Sequence, residues 1–264
     1  MRVTLVQKKH TLGDKASNLR IIEETLEDVN TDLLVFPEMF LTGYQLGDQI
    51  WHESEQIPGP SSDKISKMAS EQDTTIICGM PERSDPGVGR LYNSALIATP
   101  DGKVDSYRKS YLPNFALFND KRYFVSDQEV PIFDTPLGKL GIVICYDLFL
   151  PELTKKMAMK GAEILVCISA SPSVTRRFFE KVMVTRAIEN TCFMLYANLV
   201  GREDNVMFWG GDTIISPKGD ILSKGPYFEE DHVTYSIDKK DLLSARRGRP
   251  VLDDTRTEMF KLQD

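Results

Sequence analysis

Gly141-Ile142-Val143-Ile144-Cys145-Tyr146-Asp147-Leu148-Phe149-Leu150-Pro151-Glu152 reads as a strand that delivers Cys145 to an elbow, after which Pro151-Glu152 opens a helix. A nucleophile at a strand-elbow-helix junction protrudes into a crevice, and nearby backbone N–H groups can point at the oxyanion of a tetrahedral intermediate. The Tyr146 amide is the candidate donor. The helix runs from Pro151 to Lys160, is stopped by Gly161, and leads into a second strand at Ile164 to Ile168.

Working outward, strand-like runs recur at Val3 to Val6, Leu33 to Phe36, Thr74 to Cys78, Ala95 to Ala98 and Phe193 to Leu199. Between the first two, Ala16, Leu19, Ile22, Leu26 and Val29 repeat at three- and four-residue spacing, the apolar face of a helix packed on a sheet. Further helices fit Ser61 to Gln72, with Ile65 and Met68 inward, and Arg176 to Asn190. Turn signals at Pro100-Asp101-Gly102, Pro136-Leu137-Gly138 and Pro217-Lys218-Gly219-Asp220 predict antiparallel hairpins beside the βαβ crossovers, hence a mixed sheet. No Ser/Gly-rich linker, internal repeat or low-complexity tract divides the chain, so residues 1–264 are expected to form one α/β domain.

Composition narrows the partners. The 264 residues carry a net charge of -7, and phosphate neutralisation needs a basic face, so a small-molecule or protein partner is expected in place of nucleic acid. The opening MRVTLVQKKH is too short in apolar residues for a signal peptide, and no later run reaches the roughly 18 to 20 residues that span a bilayer; a cytoplasmic protein without a membrane partner is expected. Cys78, Cys145, Cys167 and Cys192 are far apart with no CxxC pair, which signals neither a zinc site nor a disulfide framework. The basic cluster Lys239-Lys240, Arg246-Arg247 and Arg249 reads as a solvated helix face.

Two further segments carry candidate chemistry. Leu33-Leu34-Val35-Phe36 runs into Pro37-Glu38, and proline cannot continue an interior ladder, so Glu38 should emerge at the strand's carboxyl end, where ligands gather. Tyr107-Arg108-Lys109 closes a hairpin strand and is followed by a loop, Ser110 to Pro113. Taken singly, a carboxylate in a loop, a lysine at a strand end and a cysteine after an apolar strand are ordinary surface or core residues.

Together, Phe36-Pro37-Glu38, Tyr107-Arg108-Lys109 and the Gly141–Glu152 stretch resemble the three signatures of the nitrilase, or carbon-nitrogen hydrolase, superfamily in order and spacing. The resemblance covers nearly the whole chain. It implies a four-layer αββα sandwich with Glu38, Lys109 and Cys145 converging at one end, and protomers that pair as homodimers or higher homo-oligomers. The residue types make chemical sense on their own: a thiol with a reference pKa of about 8.5 needs a base or a nearby cation to become a good nucleophile. Glu38 is expected to be general acid and base, Lys109 to stabilise the oxyanion, and Cys145 to form a thioester, with no metal or cofactor required. His10, His52 and His232 lie in no recognisable Cys-His protease context.

Many members of the superfamily carry a second Glu after the Lys, where Leu117-Phe118-Asn119-Asp120 offers Asp120 in a supporting role. Gly43-Tyr44-Gln45-Leu46-Gly47-Asp48, Leu112-Pro113-Asn114-Phe115 and Ile168-Ser169-Ala170-Ser171-Pro172 are most similar to the glutamine-hydrolysing domain of NAD synthetases. That likeness implies Tyr44 and Phe118 as pocket walls, Ser169 and Ala170 beside the substrate, and Ser171 and Arg177 near a substrate carboxylate. Tyr146 stands where those domains have an acid, and no SGGxDS phosphate loop follows. An amidase acting on a small amide is therefore expected, with a glutaminase subunit feeding a separate synthetase as the alternative, then an N-carbamoyl amine hydrolase or a nitrilase.

Overall fold

The computed structural model describes residues 1–84 and 87–260. In chain order its strands are β1 (Arg2–Gln7), β2 (Leu33–Val35), β3 (Thr75–Arg83), β4 (Leu91–Ala98), β5 (Val104–Arg108), β6 (Phe133–Thr135), β7 (Gly138–Ile144), β8 (Ile164–Ser169), β9 (Phe193–Asn198), β10 (Val200–Glu203), β11 (Val206–Trp209), β12 (Thr213–Ile215), β13 (Ile221–Lys224) and β14 (Asp231–Ser236). The helices are α1 (Lys15–Asp28), α2 (Ile50–Glu53), α3 (Pro60–Glu71), α4 (Asp120–Tyr123), α5 (Pro151–Met159), α6 (Arg176–Asn190) and α7 (Lys239–Gly248). One six-stranded sheet has the order β14-β1-β2-β3-β4-β5, the other β13-β12-β9-β8-β7-β6, and β10-β11 form a separate ribbon.

Side-chain alternation along β2 explains the layering. Leu33 and Val35 face the core between the sheets with Val3, Leu5, Ile77 and Ile142, while Leu34 and Phe36 face Leu19, Ile22 and Leu26 of α1 and Ile65 and Ala69 of α3. Both faces of the strand are buried, which is why its sequence is continuously apolar. On the far side, Leu153 and Met157 of α5 and Phe179, Met183 and Ala187 of α6 cover the second sheet. The result is the four-layer αββα sandwich, helices on sheet on sheet on helices.

Strand direction sets the site. β2 pairs parallel with β3, and β3-β4 and β4-β5 are antiparallel, so β5 runs the same way as β2. Glu38, just past β2, and Lys109, just past β5, therefore leave the first sheet at one edge, opposite Cys145 at the end of β7 in the second.

Several local expectations shift. Ala16 is exposed, and Asn18 is the inward residue of the first turn of α1: its side chain accepts from the Thr11 amide and donates to the Thr11 and Leu41 carbonyls. The strand expected over Thr74 to Cys78 continues to Arg83, and the one expected at Ala95 starts at Leu91, because the two form one long antiparallel pair. The basic cluster lies on α7 and at its C-terminal cap, Arg249, where part of it clips the helix down: Arg246 donates to the Ala162 carbonyl at 2.7 Å and Arg249 to the Ile188 carbonyl at 3.1 Å. Among the described residues no helix is long and apolar enough to cross a membrane.

Candidate active site

Glu38 is fully buried, and each of its oxygens is engaged. Oε1 accepts from Asn93 Nδ2 at 2.7 Å and from Lys109 Nζ at 2.7 Å, and Oε2 accepts from the Ala170 amide at 2.6 Å. Its backbone is pressed against β3, where the Gly79 amide donates to the Pro37 carbonyl. A Cβ on Gly79 would lie 2.3 Å from the Met39 nitrogen and 2.6 Å from Glu38 Cα, so only glycine admits this approach. The turn is completed by Met39 in the left-handed region, φ 56°.

Lys109 is 1% exposed, and its ammonium also donates to Asp120 Oδ2 at 2.9 Å. Burial pulls its pKa downward, but the charges of Asp120 and then Glu38 outweigh this and hold it well above the ordinary lysine value. Lys109 stays cationic. The shorter side chain of Asp120 thus reaches the lysine directly, from α4, whose start is tied back by the Asp120 amide to the Pro113 carbonyl. Tyr44 donates its hydroxyl to Asp120 Oδ1; burial and then Asp120 keep that hydroxyl protonated. The loop carrying Tyr44 is anchored by Glu203, which accepts from the Tyr44 and Gln45 amides and pairs with His10 at 2.7 Å.

Cys145 sits at the elbow with φ 49°, a left-handed conformation costly for a side chain bearing a Cβ, and it begins a 3₁₀ turn to Phe149. Asp147 fixes that turn. Its Oδ2 accepts from the Ile144 amide at 3.0 Å and the Tyr107 hydroxyl at 2.8 Å, and its Oδ1 from the Tyr111 amide at 2.8 Å. Burial, then Glu38, push the Cys145 thiol up, with Lys109 and the Ser169 hydroxyl pulling the other way. The resting side chain is a thiol.

A cavity of about 210 Å³ opens beside Cys145. Phe118 and Tyr146 line it, and Tyr146 lies in the first turn of the 3₁₀ segment, where N–H groups lack an intrahelical partner. Tyr44 lines a separate cavity with Asp120. Ala170 contacts Glu38 through its amide, whereas Ser171 turns inward: it is fully buried, accepts from Trp209 Nε1 at 3.1 Å and shares a hydrogen bond with Thr175. Arg177 is exposed, its guanidinium 4.7 Å from the centre of the Phe178 ring. Among the described residues no group of three His, Cys, Asp or Glu side chains is placed to hold a metal ion.

The structure thus brings Glu38, Lys109, Asp120, Cys145, Ser169 and Ala170 together, and leaves Ser171 and Arg177 outside the Cys145 cavity. Asn93, Gly79 and Asp147 escaped sequence reasoning. Asn93 carried one usable signal: an amide inside the apolar run Leu91 to Ala98 must find a partner if that strand is buried.

The carbon-nitrogen hydrolase family model matches residues 2–247. An (R)-stereoselective amidase of a Pseudomonas species is 31% identical over 97% of this chain and 92% of its own. A glutamine-dependent NAD(+) synthetase of Aquifex aeolicus is 31% identical over 94% of this chain, which spans 44% of that protein. The solved structure of Nit3 of Saccharomyces cerevisiae, a member of branch 10 of the nitrilase superfamily, is similar with a TM-score of 0.87 at 27% identity, covering 98% of this chain and 97% of that one.

Proposed function

The chain belongs to the carbon-nitrogen hydrolase family and is an amidase-type hydrolase, and from that premise we propose that it converts a small primary amide and water to a carboxylic acid and ammonia through a Cys145 thioester. The observation that carries this reading is the Glu38 carboxylate, fully buried yet bonded to Lys109 at 2.7 Å and close enough to raise the Cys145 thiol.

Because the resting group is a thiol, attack requires proton transfer. Glu38 takes the proton from Sγ as sulfur bonds to the amide carbonyl carbon, and the oxygen becomes an oxyanion facing the Lys109 ammonium and the Tyr146 N–H. Glu38 passes the proton to the amide nitrogen, the C–N bond breaks, and ammonia departs. Glu38 then takes a proton from water, hydroxide adds to the thioester, the C–S bond breaks, and the leaving thiolate recovers the proton from Glu38. Asp120 keeps Lys109 charged throughout, which suits a group that stabilises negative charge without giving up a proton.

The likeness to a glutamine-dependent NAD(+) synthetase supports a second reading, a glutaminase subunit that feeds a separate synthetase. The test is ammonia release from a panel of primary amides, with intact-mass detection of the acyl-enzyme. Turnover that vanishes in Cys145→Ala and falls at least about a thousandfold in Glu38→Gln is expected. Undiminished turnover in either variant sinks the mechanism.

A further inference from the structure

Resting on the amidase reading, we infer that the acyl part of the substrate is uncharged and apolar, of arylaliphatic or branched aliphatic kind, and that glutamine is a poor substrate. The cavity beside Cys145 is walled by Phe115, Phe118, Tyr146, Phe149, Phe178 and Phe179. Pro113 closes it on one side, and the remaining polar neighbour, Thr175, has its hydroxyl engaged with Ser171 at 2.7 Å and the Pro172 carbonyl at 2.8 Å. Among the described residues no charged side chain lines this cavity. A zwitterionic acyl group would have to shed water from an ammonium and a carboxylate with nothing to replace it, and that cost appears in kcat/KM.

Geometry also says which part of the substrate enters. The leaving nitrogen must reach Glu38, and Glu38 is fully enclosed by Asn93, Lys109 and the Ala170 amide. The leaving nitrogen is thus the end of the substrate that must be held closest to the protein interior, and the bulk of the acyl part lies on the aromatic side of Cys145. An apolar cavity of about 150 Å³ is enough for a benzene ring. The volume here, about 210 Å³, takes a ring and a short linker to the carbonyl.

Two cations stand nearby without entering. Lys121 lines a wider cavity of about 580 Å³, but Phe115 and Tyr146 border both cavities and meet edge to face at 5.2 Å between them. Arg177 lies over the ring of Phe178 at the solvent-exposed rim, where a carboxylate on a longer chain could meet it only outside the aromatic walls.

The experiment is kcat/KM of the full chain for acetamide, phenylacetamide, isobutyramide, glutamine and succinamate, repeated in Phe118→Ala, Phe149→Ala and Arg177→Ala. The expected result is that phenylacetamide or isobutyramide exceeds both glutamine and succinamate at least a hundredfold, and that Phe118→Ala or Phe149→Ala narrows this ratio at least tenfold. Glutamine or succinamate turned over as well as the apolar amides overturns the inference while leaving Cys145 hydrolysis standing. A preference for succinamate that disappears in Arg177→Ala overturns it too, by moving recognition to the rim. Absence of turnover and of any acyl-Cys145 adduct across all five amides overturns the amidase reading itself, and the inference with it.

Discussion

Asn93 holds Glu38 from β4, two strands along the sheet from β2: its side-chain amide donates to Glu38 Oε1 at 2.7 Å, while its main-chain carbonyl accepts the Lys109 amide at 2.9 Å. One residue thus sets both the carboxylate and the start of the lysine side chain. A hydrogen bond to a charged group contributes about 1.5–3 kcal/mol. Asn93→Ala should therefore lower kcat roughly 10- to 100-fold, with KM within about twofold because Asn93 does not line the Cys145 cavity. Asn93→Asp, which sets a second carboxylate against Glu38, should lose more than the alanine variant. Wild-type kcat in Asn93→Asp would show that the contact has no role in positioning.

Gly79 sets the same carboxylate through the backbone. An added methyl would have to displace Met39 or Glu38, since it falls 2.3 Å from one main-chain nitrogen and 2.6 Å from the other residue's Cα. Overpacking costs about 1–3 kcal/mol, which for a domain of this size lowers Tm by roughly 2–4 °C per kcal/mol. Gly79→Ala should melt several degrees lower and, while still folded, lose more kcat than Asn93→Ala. Circular dichroism melting paired with an ammonia assay below the melt checks both parts.

The fold was legible where burial on both faces made strands continuously apolar, as at Leu33–Phe36 and Ile142–Ile144, and where Pro37 and Pro151 marked the strand and helix ends. Legibility failed where polar residues were buried in pairs. Glu82 and Ser94 hid the extent of β3 and β4 because a glutamate bonded to Ser94 at 2.7 Å and to Arg108 looks like a loop residue until its partners are known. At the site, Glu38, Lys109 and Cys145 stand out as strand-end residues in familiar signatures. Asn93 and Asp147 act on residues far along the chain or through backbone amides, and neither relation leaves a local pattern. Ser171 shows the converse: it follows Ala170 in the same segment, yet its hydroxyl accepts from Trp209 Nε1, a partner far along the chain.

Alkylation separates a thiol from a thiolate. Burial and the Glu38 charge hold Cys145 as a thiol at neutral pH, so iodoacetamide should label it slowly, with a rate still rising at pH 9. In Glu38→Gln the opposing charge is gone while Lys109 stays, which lowers the thiol pKa. Labelling of Cys145 in that variant should be faster than in wild type at pH 7.5, even as turnover collapses. Peptide mapping by mass spectrometry reads both; a wild-type rate that plateaus below pH 8 contradicts the thiol assignment.

Asp147 supplies a pH signature. Burial raises its carboxyl from an ordinary 3.8 to about 6, against the pull of the Ile144 amide, so folding takes up a proton there. The contribution of this group to stability is fully present below about pH 3.8 and is lost as pH rises through about 6, a difference of about 3 kcal/mol. Function runs the other way, because the ionised form accepts from Ile144, Tyr107 and Tyr111 and holds the elbow. Asp147→Asn, whose NH2 group would face a donor, should reduce kcat at pH 8 at least tenfold. It should also flatten the stability change between pH 4 and pH 7, and chemical denaturation across that range would refute the assignment if the two proteins ran parallel.

Asp120 is the last link, and its effect is read through Lys109. Among the charges that hold the buried lysine cationic that of Asp120 comes first and that of Glu38, which also accepts a hydrogen bond from it, second, while burial opposes both. In the wild type Lys109 stays protonated through the alkaline range, so its titration should add no descending limb to the kcat/KM profile below about pH 10. Asp120→Asn removes the larger of the two favourable charges and leaves the burial intact, and the lysine pKa must fall. A descending alkaline limb should therefore appear or move to lower pH, with kcat reduced roughly 10- to 100-fold at pH 8. Asp120→Glu tests reach: the aspartate already meets both Lys109 and the Tyr44 hydroxyl, so one added methylene must push against Tyr44. Pairing Asp120→Glu with Tyr44→Phe should recover activity lost in the single variant, since removing the hydroxyl makes room for the longer side chain. An unchanged alkaline limb in Asp120→Asn would mean that Glu38 alone keeps Lys109 charged.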